Sequence, residues 1–529
     1  MTEIHDVAII GAGPCGLAVA ARLREETPSA IFTDEEQRRY HWVKKHKGQM
    51  AIKNKKTQLV TAAACPTTTR RGPSMLVLDG SGDRWMSRWN TLFKTFDISH
   101  LRSPMFFHVD PRDRDGLLGY AHEQDRDHEL MEIGGCVGQE RTKNQRKKDR
   151  GRAGNWRESA IDERDRKDYY TPSTCLFHDH CECVIEDYGL RDHVLKQENV
   201  ADIDFGYVDG ISEVDRIFSL TTDKGVQYAK TVVLSVGTGG IPEIPDSHER
   251  GSIAGACHSM HIKQFPDLCV QAKVTRRQET TVVVIGGGLT AAHLVVNAIK
   301  FGVTKVHMIL RSHLKVKPFD VDLAWLGKFR NAEMAGFWSA DTDEERATQI
   351  FEARGGGSIT PRIHKTIKKL LAAGSLEIHT NTVITSRVFD LQSRMWKIET
   401  EPKLRLPAVD YIYFATGVAT DYAKIPFMQT LLKKYPVNGV AGLPCLTDDM
   451  AWDDEVPLYV TGKLAGLRLG PGAANLAGAR VGAERIAWSI QEYLGSDACE
   501  DQDEAESKYR HGVGSRYDSL VESEGDTED

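Results

Sequence analysis

Two stretches of the sequence share one design: Val7-Ala-Ile-Ile-Gly-Ala-Gly-Pro-Cys-Gly-Leu-Ala-Val-Ala-Ala-Arg22 and Thr281-Val-Val-Val-Ile-Gly-Gly-Gly-Leu-Thr-Ala-Ala-His293. In each, a β-branched run precedes a glycine-rich turn and then small residues, which predicts a strand, a tight turn and a helix. The turns match G-x-G-x-x-G and G-x-G-x-x-A. Their key positions are Gly11, Gly13, Pro14 and Gly16 in the first stretch, and Gly286, Gly288 and Ala291 in the second. The first glycine of such a turn permits the bend, the second lets a pyrophosphate approach the backbone, and the third lets helix pack on strand.

A single glycine pattern is weak, but two in one chain, each after a strand, predict two nucleotide sites. Phosphate would lie against free N–H groups at the positive end of each helix. We therefore expect an α/β protein with two nested Rossmann-like dinucleotide-binding domains. The first predicted domain has two pieces, residues 1–248 and 405–494, and the second domain lies between them at residues 249–404. An acidic disordered tail is predicted at residues 495–529.

Composition limits the function classes. The net charge of −7 and the pI near 6.3 give no reason to expect nucleic acid or an acidic membrane as the main partner. Ten cysteines without the spacing of a disulfide framework fit a reducing compartment. No apolar run is long enough to span a membrane. We expect a soluble cytoplasmic protein whose oligomeric state the sequence leaves open.

The predicted strand that follows the first glycine turn is Ala30-Ile-Phe-Thr33, and it ends in Asp34 and Glu35. An acid at this position binds a ribose hydroxyl and repels a 2′-phosphate. This pattern favours FAD at the first site. The alternative is that both acids are solvated loop residues.

The strand that follows the second glycine turn, Lys305-Val-His-Met-Ile-Leu310, ends in Arg311 and Ser312. A guanidinium and a hydroxyl match a 2′-phosphate, so this pattern favours NADPH. The opposite charges after the two strands therefore predict FAD first and NADPH second.

Residues 40–110 are aromatic and irregular, as expected of loops that cover a flavin ring. Trp42 is a candidate wall of the cofactor site. Arg102 and His108 are the candidate catalytic groups near the ring. The alternative is that the aromatic residues form core and Arg102 joins a buried ion pair.

Two stretches, one basic and one rich in histidine and cysteine, are interpreted without a nucleic-acid or metal site. Arg141–Arg150 is basic but lacks interleaved aromatics, so a solvated loop is favoured over a nucleic-acid patch. Thr171-Pro172 predicts a helix start. On that helix, His178–Cys183 contains histidines and cysteines, but neighbours two residues apart on a helix point away from each other. We expect no metal.

Later segments complete the two domains. We expect residues 318–400 to complete the second domain, with Arg354-Gly-Gly-Gly357 as a loop. A strand ending in Thr416 and Gly417 is expected to return the chain to the first domain. Near the end, Pro471 predicts the start of a helix whose free N–H groups face the flavin. The cofactor-binding candidates here are Thr416, Gly417, Gly462, Gly470 and Pro471.

Together these motifs resemble the class B flavin monooxygenases, from about residue 5 to 490. The resemblance rests on Gly11–Gly16, Gly286–Ala291, Ala415–Gly417 and Gly462–Arg480. Phe414–Gly417 is especially similar to the N-hydroxylating ornithine and lysine branch. Leu101–Pro104, with His108 and Asp110, is more loosely similar to the oxidative-stress-induced growth inhibitor group.

The sequence also departs from related patterns. The Baeyer–Villiger fingerprint is not met, because Gly255 and His258 are one residue too close and Ile262 replaces its tryptophan. The Gly-Asp of disulfide-reductase relatives is here Gly462-Lys463, and no redox-active cysteine pair adjoins a flavin motif.

The resemblance implies an FAD- and NADPH-dependent monooxygenase that acts on a small molecule and O₂ through a C4a-(hydro)peroxyflavin, with N-hydroxylation as its expected form. Two alternatives stay open at this point. One is a flavin-dependent dehydrogenase without oxygen insertion. The other is a weakly catalytic regulatory flavoprotein that uses its basic loop and acidic tail to bind partners.

Overall fold

A computed structural model describes residues 3–25, 30, 50–53, 60–63, 72–134, 136, 168–191, 194–237, 239, 241–245, 254–327 and 329–495 of the chain. The basic stretch at 141–150 and the tail after residue 495 lie outside these residues. No helix among the described segments combines the length and apolarity needed to cross a bilayer.

The strands are β1 Ile4–Ile10, β2 Met50–Lys53, β3 Val60–Ala63, β4 Met75–Leu78, β5 Leu130–Glu132, β6 Tyr170–Pro172, β7 Leu195–Lys196, β8 Val200–Val208, β9 Ser212–Thr222, β10 Gly225–Leu234, β11 Ile241–Pro242, β12 Ala256–His258, β13 Thr281–Ile285, β14 Lys305–Ile309, β15 Leu376–His379, β16 Val383–Asp390, β17 Met395–Glu401, β18 Tyr411–Phe414, β19 Val418–Ala419, β20 Gly439–Val440, β21 Leu443–Pro444 and β22 Leu458–Val460.

The helices are α1 Pro14–Arg24, α2 Ser87–Thr95, α3 Gly116–Glu123, α4 Thr174–Asp187, α5 Leu268–Thr275, α6 Leu289–Lys300, α7 Arg330–Trp338, α8 Asp343–Arg354, α9 Pro361–Ala372, α10 Gln429–Lys434, α11 Gly466–Leu469 and α12 Leu476–Gly495. Short 3₁₀ turns connect several of them.

The first sheet has β1 at its centre. Its order is β7-β4-β1-β10-β9-β8, with β22 also paired to β10. β1 runs parallel to β4 on one side and to β10 on the other. The buried apolar residues of these strands form a core against α1 and α12. Such continuous apolar strands are typical of a parallel sheet covered on both faces.

This topology bears on the predicted second strand. A strand has only two edges, and β4 and β10 take both edges of β1. The strand beside β1 on the side away from β10 is therefore Met75–Leu78, and residues 31–33 of the predicted strand lie outside the described residues.

The second sheet is parallel throughout, in the order β12-β18-β13-β14-β15. The predicted domain boundary at residue 404 is wrong, because β18 (Tyr411–Phe414) lies in the middle of this sheet. It is hydrogen-bonded to β13 and β12, with Val283 opposite Ile412. The α/β class and the two nucleotide-type sheets, the first mixed and the second parallel, are as the sequence predicted.

The prediction that residues 318–400 all complete the second domain holds only for their later part. Phe319, Val321 and Leu326 are buried in the first core. α8 contacts the C-terminal segment, where Arg468 Nη1 lies 2.6 Å from Asp343 Oδ1. By contrast, α9 packs on α6 and β15 and supports the second sheet.

Two predicted helix starts also move. Residues 170–172 form β6, and α4 begins at Thr174 because the Ser173 hydroxyl accepts the N–H of Leu176 at 3.0 Å. The last long helix begins at Leu476 rather than at Pro471, which lies in a turn. The carboxamide oxygen of Asn475 there accepts the N–H of Ala477 at 3.1 Å.

Candidate functional site

The first glycine turn has the geometry of a phosphate site. Gly11 has φ +105° and a Cβ there would lie 2.6 Å from the carbonyl oxygen of Ser235, so only glycine fits. A Cβ on Gly16 would overlap the carbonyl oxygen of Gly11, whereas one on Gly13 would meet no heavy atom within 4 Å. Pro14 begins α1, and no side chain caps the helix. The open backbone at Gly13 and the uncapped helix start can therefore receive an anion.

Asp79 takes the position that the sequence assigned to Asp34. It directly follows β4, the neighbour of β1, and its carboxylate accepts the N–H of Ala12 at 2.7 Å and of Ser81 at 2.6 Å. An acid at the carboxyl end of this strand is where a ribose hydroxyl is bound in such folds. Asp34, Glu35 and Trp42 lie outside the described residues.

A signal for Asp79 was present in the sequence. Met75-Leu-Val-Leu-Asp79 is an apolar run that ends in an acid, as Ala30–Asp34 is. Its distance from the first glycines, far greater than the usual spacing of about 20 residues, concealed it.

The second glycine turn repeats this design. Gly286 has φ +137°, and a Cβ there would overlap the carbonyl oxygen of Ala415. Gly288 precedes α6 without a side-chain cap, and Ala291 is fully buried in the helix. Arg311 and Ser312 are exposed just after β14, which lies beside β13. These two residues therefore occupy the predicted position.

The loop after α8 covers the second turn. A Cβ on Gly357 would lie 3.1 Å from the backbone N and Cα of Gly288, so the two backbones are in contact. Lys315 Nζ donates to the carbonyl oxygen of Gly355. Arg354 reaches the other way, with Nη1 donating to the carbonyl oxygen of Pro471 at 3.0 Å and Nη2 lying 3.0 Å from Asp320 Oδ2. The predicted loop thus touches both the second turn and the C-terminal segment.

The contacts of Arg102 favour a structural role, and its assignment as a catalytic group stays a prediction. Its guanidinium donates to the carbonyl oxygens of residues 317, 318, 319 and 358, and to the Ser358 hydroxyl at 2.9 Å. Burial lowers the pKa of Arg102 to about 10, although Asp320 opposes the shift. The guanidinium remains charged at neutral pH, and its donors are directed at the backbone.

His108 is held by contacts within the protein. Its side chain is inaccessible to solvent, Nε2 lies 2.9 Å from the carbonyl oxygen of Arg114, and Nδ1 accepts the N–H of Asp110 at 3.2 Å. Desolvation holds the pKa of His108 well below its usual value, and the nearby Arg480 adds to this effect. Both nitrogens of this buried ring are engaged within the protein, which favours a structural role, and the catalytic role stays a prediction.

Thr416 and Gly417 lie in the connection between the sheets. The Thr416 hydroxyl donates to the carbonyl oxygen of Glu243, and His258 Nε2 lies 3.0 Å from the carbonyl oxygen of Gly417. The adjacent strands β11 and β19 pair with each other. These contacts hold the two crossing segments together, and they do not direct Thr416 toward a ligand.

The closing motif adjoins the first turn. Gly462 has φ +73°, and a Cβ there would lie 3.4 Å from Cys15 Sγ in α1. Gly470 has φ +76° at the end of α11, next to Pro471. Lys463 is half-buried and has no ion-pair partner among the described residues. Its pKa is lowered by desolvation and by Arg354, against the effect of Glu243. Lys463 therefore brings a positive charge beside the first turn that Glu243 offsets only in part.

The histidine- and cysteine-rich stretch of α4 faces the core. His180 and Cys181 are buried, while Cys183 Sγ donates to Asp187 at 3.7 Å. Burial lowers the pKa of His180 to about 4 and raises that of the Cys181 thiol. These side chains pack against the first sheet's core and do not converge on one point.

Comparison with known proteins agrees with this geometry. The family described as L-lysine 6-monooxygenase/L-ornithine 5-monooxygenase matches residues 169–417. This match covers a little under half of the chain. No curated protein matches it in sequence.

Several solved structures share the fold of this chain. The ornithine hydroxylase of Pseudomonas aeruginosa is 19% identical, with a TM-score of 0.57 over 93% of this chain and 100% of its own. The ornithine N-hydroxylase of Kutzneria sp. 744, with reduced FAD, NADP⁺ and L-ornithine, is 15% identical, with a TM-score of 0.58 and coverage of 93% and 100%. The cadaverine monooxygenase of Erwinia amylovora, bound to FAD, is 13% identical, with a TM-score of 0.58 and coverage of 92% and 95%.

The chain shares the fold of these flavin-dependent hydroxylases. Its residues fit both cofactors, since two uncapped helix starts follow open glycine turns, one beside Asp79 and one beside Arg311. Nothing in the comparisons favours the dehydrogenase or the regulatory flavoprotein.

Proposed function

We propose that this protein is a monooxygenase that hydroxylates the side-chain amine of a small amino acid, with NADPH and O₂ as co-substrates. We propose that it acts in the cytoplasm. The observation that carries the proposal is the family match at residues 169–417, which includes the whole second glycine turn and the return strand β18. FAD supplies the oxygen chemistry when it is bound, and the side chains of this protein bind, orient and shield the reactants.

The proposed cofactor contacts follow the two turns. Gly11, Gly13, Gly16 and Asp79 hold FAD, because the open turn accepts pyrophosphate and the acid accepts a ribose hydroxyl. Gly286, Gly288 and Ala291 form the equivalent turn for NADPH. Arg311 and Ser312 there face the 2′-phosphate.

Positive charge between the two sites favours a substrate that carries a carboxylate. Lys463 lies beside the first turn, and Arg354 shifts its pKa, so the two cations are close enough to repel. Arg354 also contacts Asp320, which neutralises one of these charges, whereas Lys463 is influenced by Glu243 but has no ion-paired counter-ion among the described residues. A carboxylate-bearing amine such as ornithine or lysine supplies one, and a diamine such as cadaverine does not.

The direct test is product formation with purified FAD-loaded protein. Ornithine, lysine and cadaverine are each supplied with NADPH and O₂, and hydroxylamine, NADPH consumption and H₂O₂ are measured. The proposal expects hydroxylamine in step with NADPH oxidation for one of the amino acids. NADPH oxidation that yields only H₂O₂ with every amine would contradict it.

The second cofactor site has its own test. Arg311→Ala should raise the KM for NADPH at least tenfold and leave the KM for NADH nearly unchanged, because the guanidinium acts only on the 2′-phosphate. Arg276→Ala, an exposed change beyond α5, is the matched control. An equal change in the KM for NADPH and for NADH in Arg311→Ala would show that Arg311 does not bind the 2′-phosphate.

A further inference from the structure

Two histidines and a glutamate meet on the edge of the second sheet, on β14 and β15. His307 lies in β14, and Glu377 and His379 lie in β15. The parallel register places His307 opposite Glu377 and Ile309 opposite His379. Because side chains alternate along strands, all three face the same side of the sheet.

Their polar atoms form a compact triangle. His307 Nδ1 lies 3.1 Å from His379 Nε2, and Glu377 Oε2 lies 3.5 Å from the first nitrogen and 3.7 Å from the second. A point about 2 Å from all three atoms exists within this triangle. That distance matches Zn–N and Zn–O bonds of roughly 2.0–2.2 Å.

A neighbouring lysine fixes the carboxylate of Glu377. Lys305 Nζ holds the other carboxylate oxygen at 2.7 Å and leaves Oε2 directed at the rings.

Both rings must turn before they can bind one ion. Their planes are 17° apart with centroids at 5.4 Å, and a nitrogen of one ring hydrogen-bonds to a nitrogen of the other. Each ring must rotate to point its lone pair at the position beside Glu377, and His379 is the more exposed of the two. His307 is nearly inaccessible, and its Nε2 has no hydrogen-bond partner among the described residues.

We infer that His307, Glu377 and His379 form a site for a divalent transition-metal ion such as Zn²⁺, separate from the cofactor sites. Two imidazoles and one carboxylate are ligands of the type Zn²⁺ prefers, and the fourth position remains open to water. The inference does not depend on the reaction proposed above.

The site adjoins the NADPH end of the sheet. The N–H of Leu310, one residue before Arg311, donates to the carbonyl oxygen of His379 at 2.8 Å. An ion that joins β14 to β15 therefore stabilises the strand pair that positions Arg311.

The test uses the full FAD-loaded chain, freed of any affinity tag and treated with a chelator. Zn²⁺ is titrated calorimetrically, and Co²⁺ is titrated by its visible d–d absorption. We expect one ion per chain from this site, with affinity at least tenfold weaker in His379→Gln and in Glu377→Gln. The exposed His261→Gln on the same domain is the control and should bind as the wild type does.

A thermal measurement covers the case of a poorly folded variant. Zn²⁺ should raise the Tm of the wild type and of His261→Gln, because a ligand that binds only the folded state stabilises it. The same addition should leave the Tm of His379→Gln and Glu377→Gln unchanged. Binding that both ligand variants retain, or a wild type that binds no ion, would overturn the assignment.

Discussion

At the scale of single residues, Asp79 connects the first strand pair to the glycine turn. Its carboxylate receives the N–H of Ala12, and its charge remains available to a ribose. Asp79→Asn keeps an oxygen for that N–H but removes the charge. We expect the Kd for FAD to rise about tenfold, since a hydrogen bond to a charged group is worth roughly 1.5–3 kcal/mol. The FAD-to-protein ratio after dialysis measures this.

The exposed Asp83→Asn in the following loop is the control for Asp79 and should retain FAD. Retention of FAD by Asp79→Asn equal to that of the wild type would return the ribose role to residues 34–35.

Arg102 is a second residue whose role can be separated from catalysis. Arg102→Met leaves several buried carbonyl oxygens without donors, at a cost of about 1–3 kcal/mol for each unsatisfied group. We expect the Tm to fall by several degrees while the rate of flavin reduction per bound FAD is preserved. The exposed Arg88→Met is the control. An unchanged Tm with slow flavin reduction would support the catalytic assignment.

At the scale of elements, alanine substitutions at two glycines of the first turn should have different effects on stability and on FAD binding. Gly16→Ala forces α1 away from β1, because the new methyl group overlaps the carbonyl oxygen of Gly11. Gly13 has φ −81°, which alanine adopts freely, and its methyl group would enter open space where pyrophosphate is proposed to lie. We therefore expect Gly16→Ala to lower both the Tm of the FAD-free protein and FAD binding, and Gly13→Ala to lower FAD binding alone.

Thermal melts of FAD-free protein and fluorescence titration with FAD measure these two effects. Tight FAD binding by Gly13→Ala would show that the pyrophosphate does not approach that backbone.

At the scale of the whole molecule, buried histidines make stability depend on pH. The pKa of His180 is lowered to about 4 by burial, so the folded state keeps the ring neutral while the unfolded chain protonates near pH 6.5. The unfolded state thus binds more protons, and stability is full above about pH 6.5 and is lost as the pH falls toward 4. The slope is up to about 1.4 kcal/mol per pH unit for this residue.

His180→Gln should flatten the fall in Tm between pH 6.5 and 4.5, whereas the exposed His261→Gln should not. Parallel profiles for His180→Gln and the wild type would contradict the burial argument.

The sequence predicted what local geometry determines. Each glycine turn is specified within about six residues, and Arg311 follows its strand at the usual distance, so these positions needed no tertiary information. Asp79 was missed because a long insertion separates α1 from β4. The backbone contacts of Arg102 were not predicted, because its acceptors lie more than 200 residues away along the chain and no local sequence pattern indicates such a contact.

The position of β18 has a consequence for chimeric proteins. The second sheet's segment starts at β12 and ends at β18, and these two strands pair, so its ends are neighbours and it resembles an exchangeable cassette. Residues 319–354 belong to this segment by sequence but do not stay with the second sheet. Part of them is buried in the first core, and Asp343 pairs with Arg468. A hybrid that takes its second domain from one parent therefore needs this excursion and the C-terminal segment around α11 and α12 from a common parent. To transfer coenzyme specificity between such enzymes, both the second-domain segment and the C-terminal segment must be exchanged together.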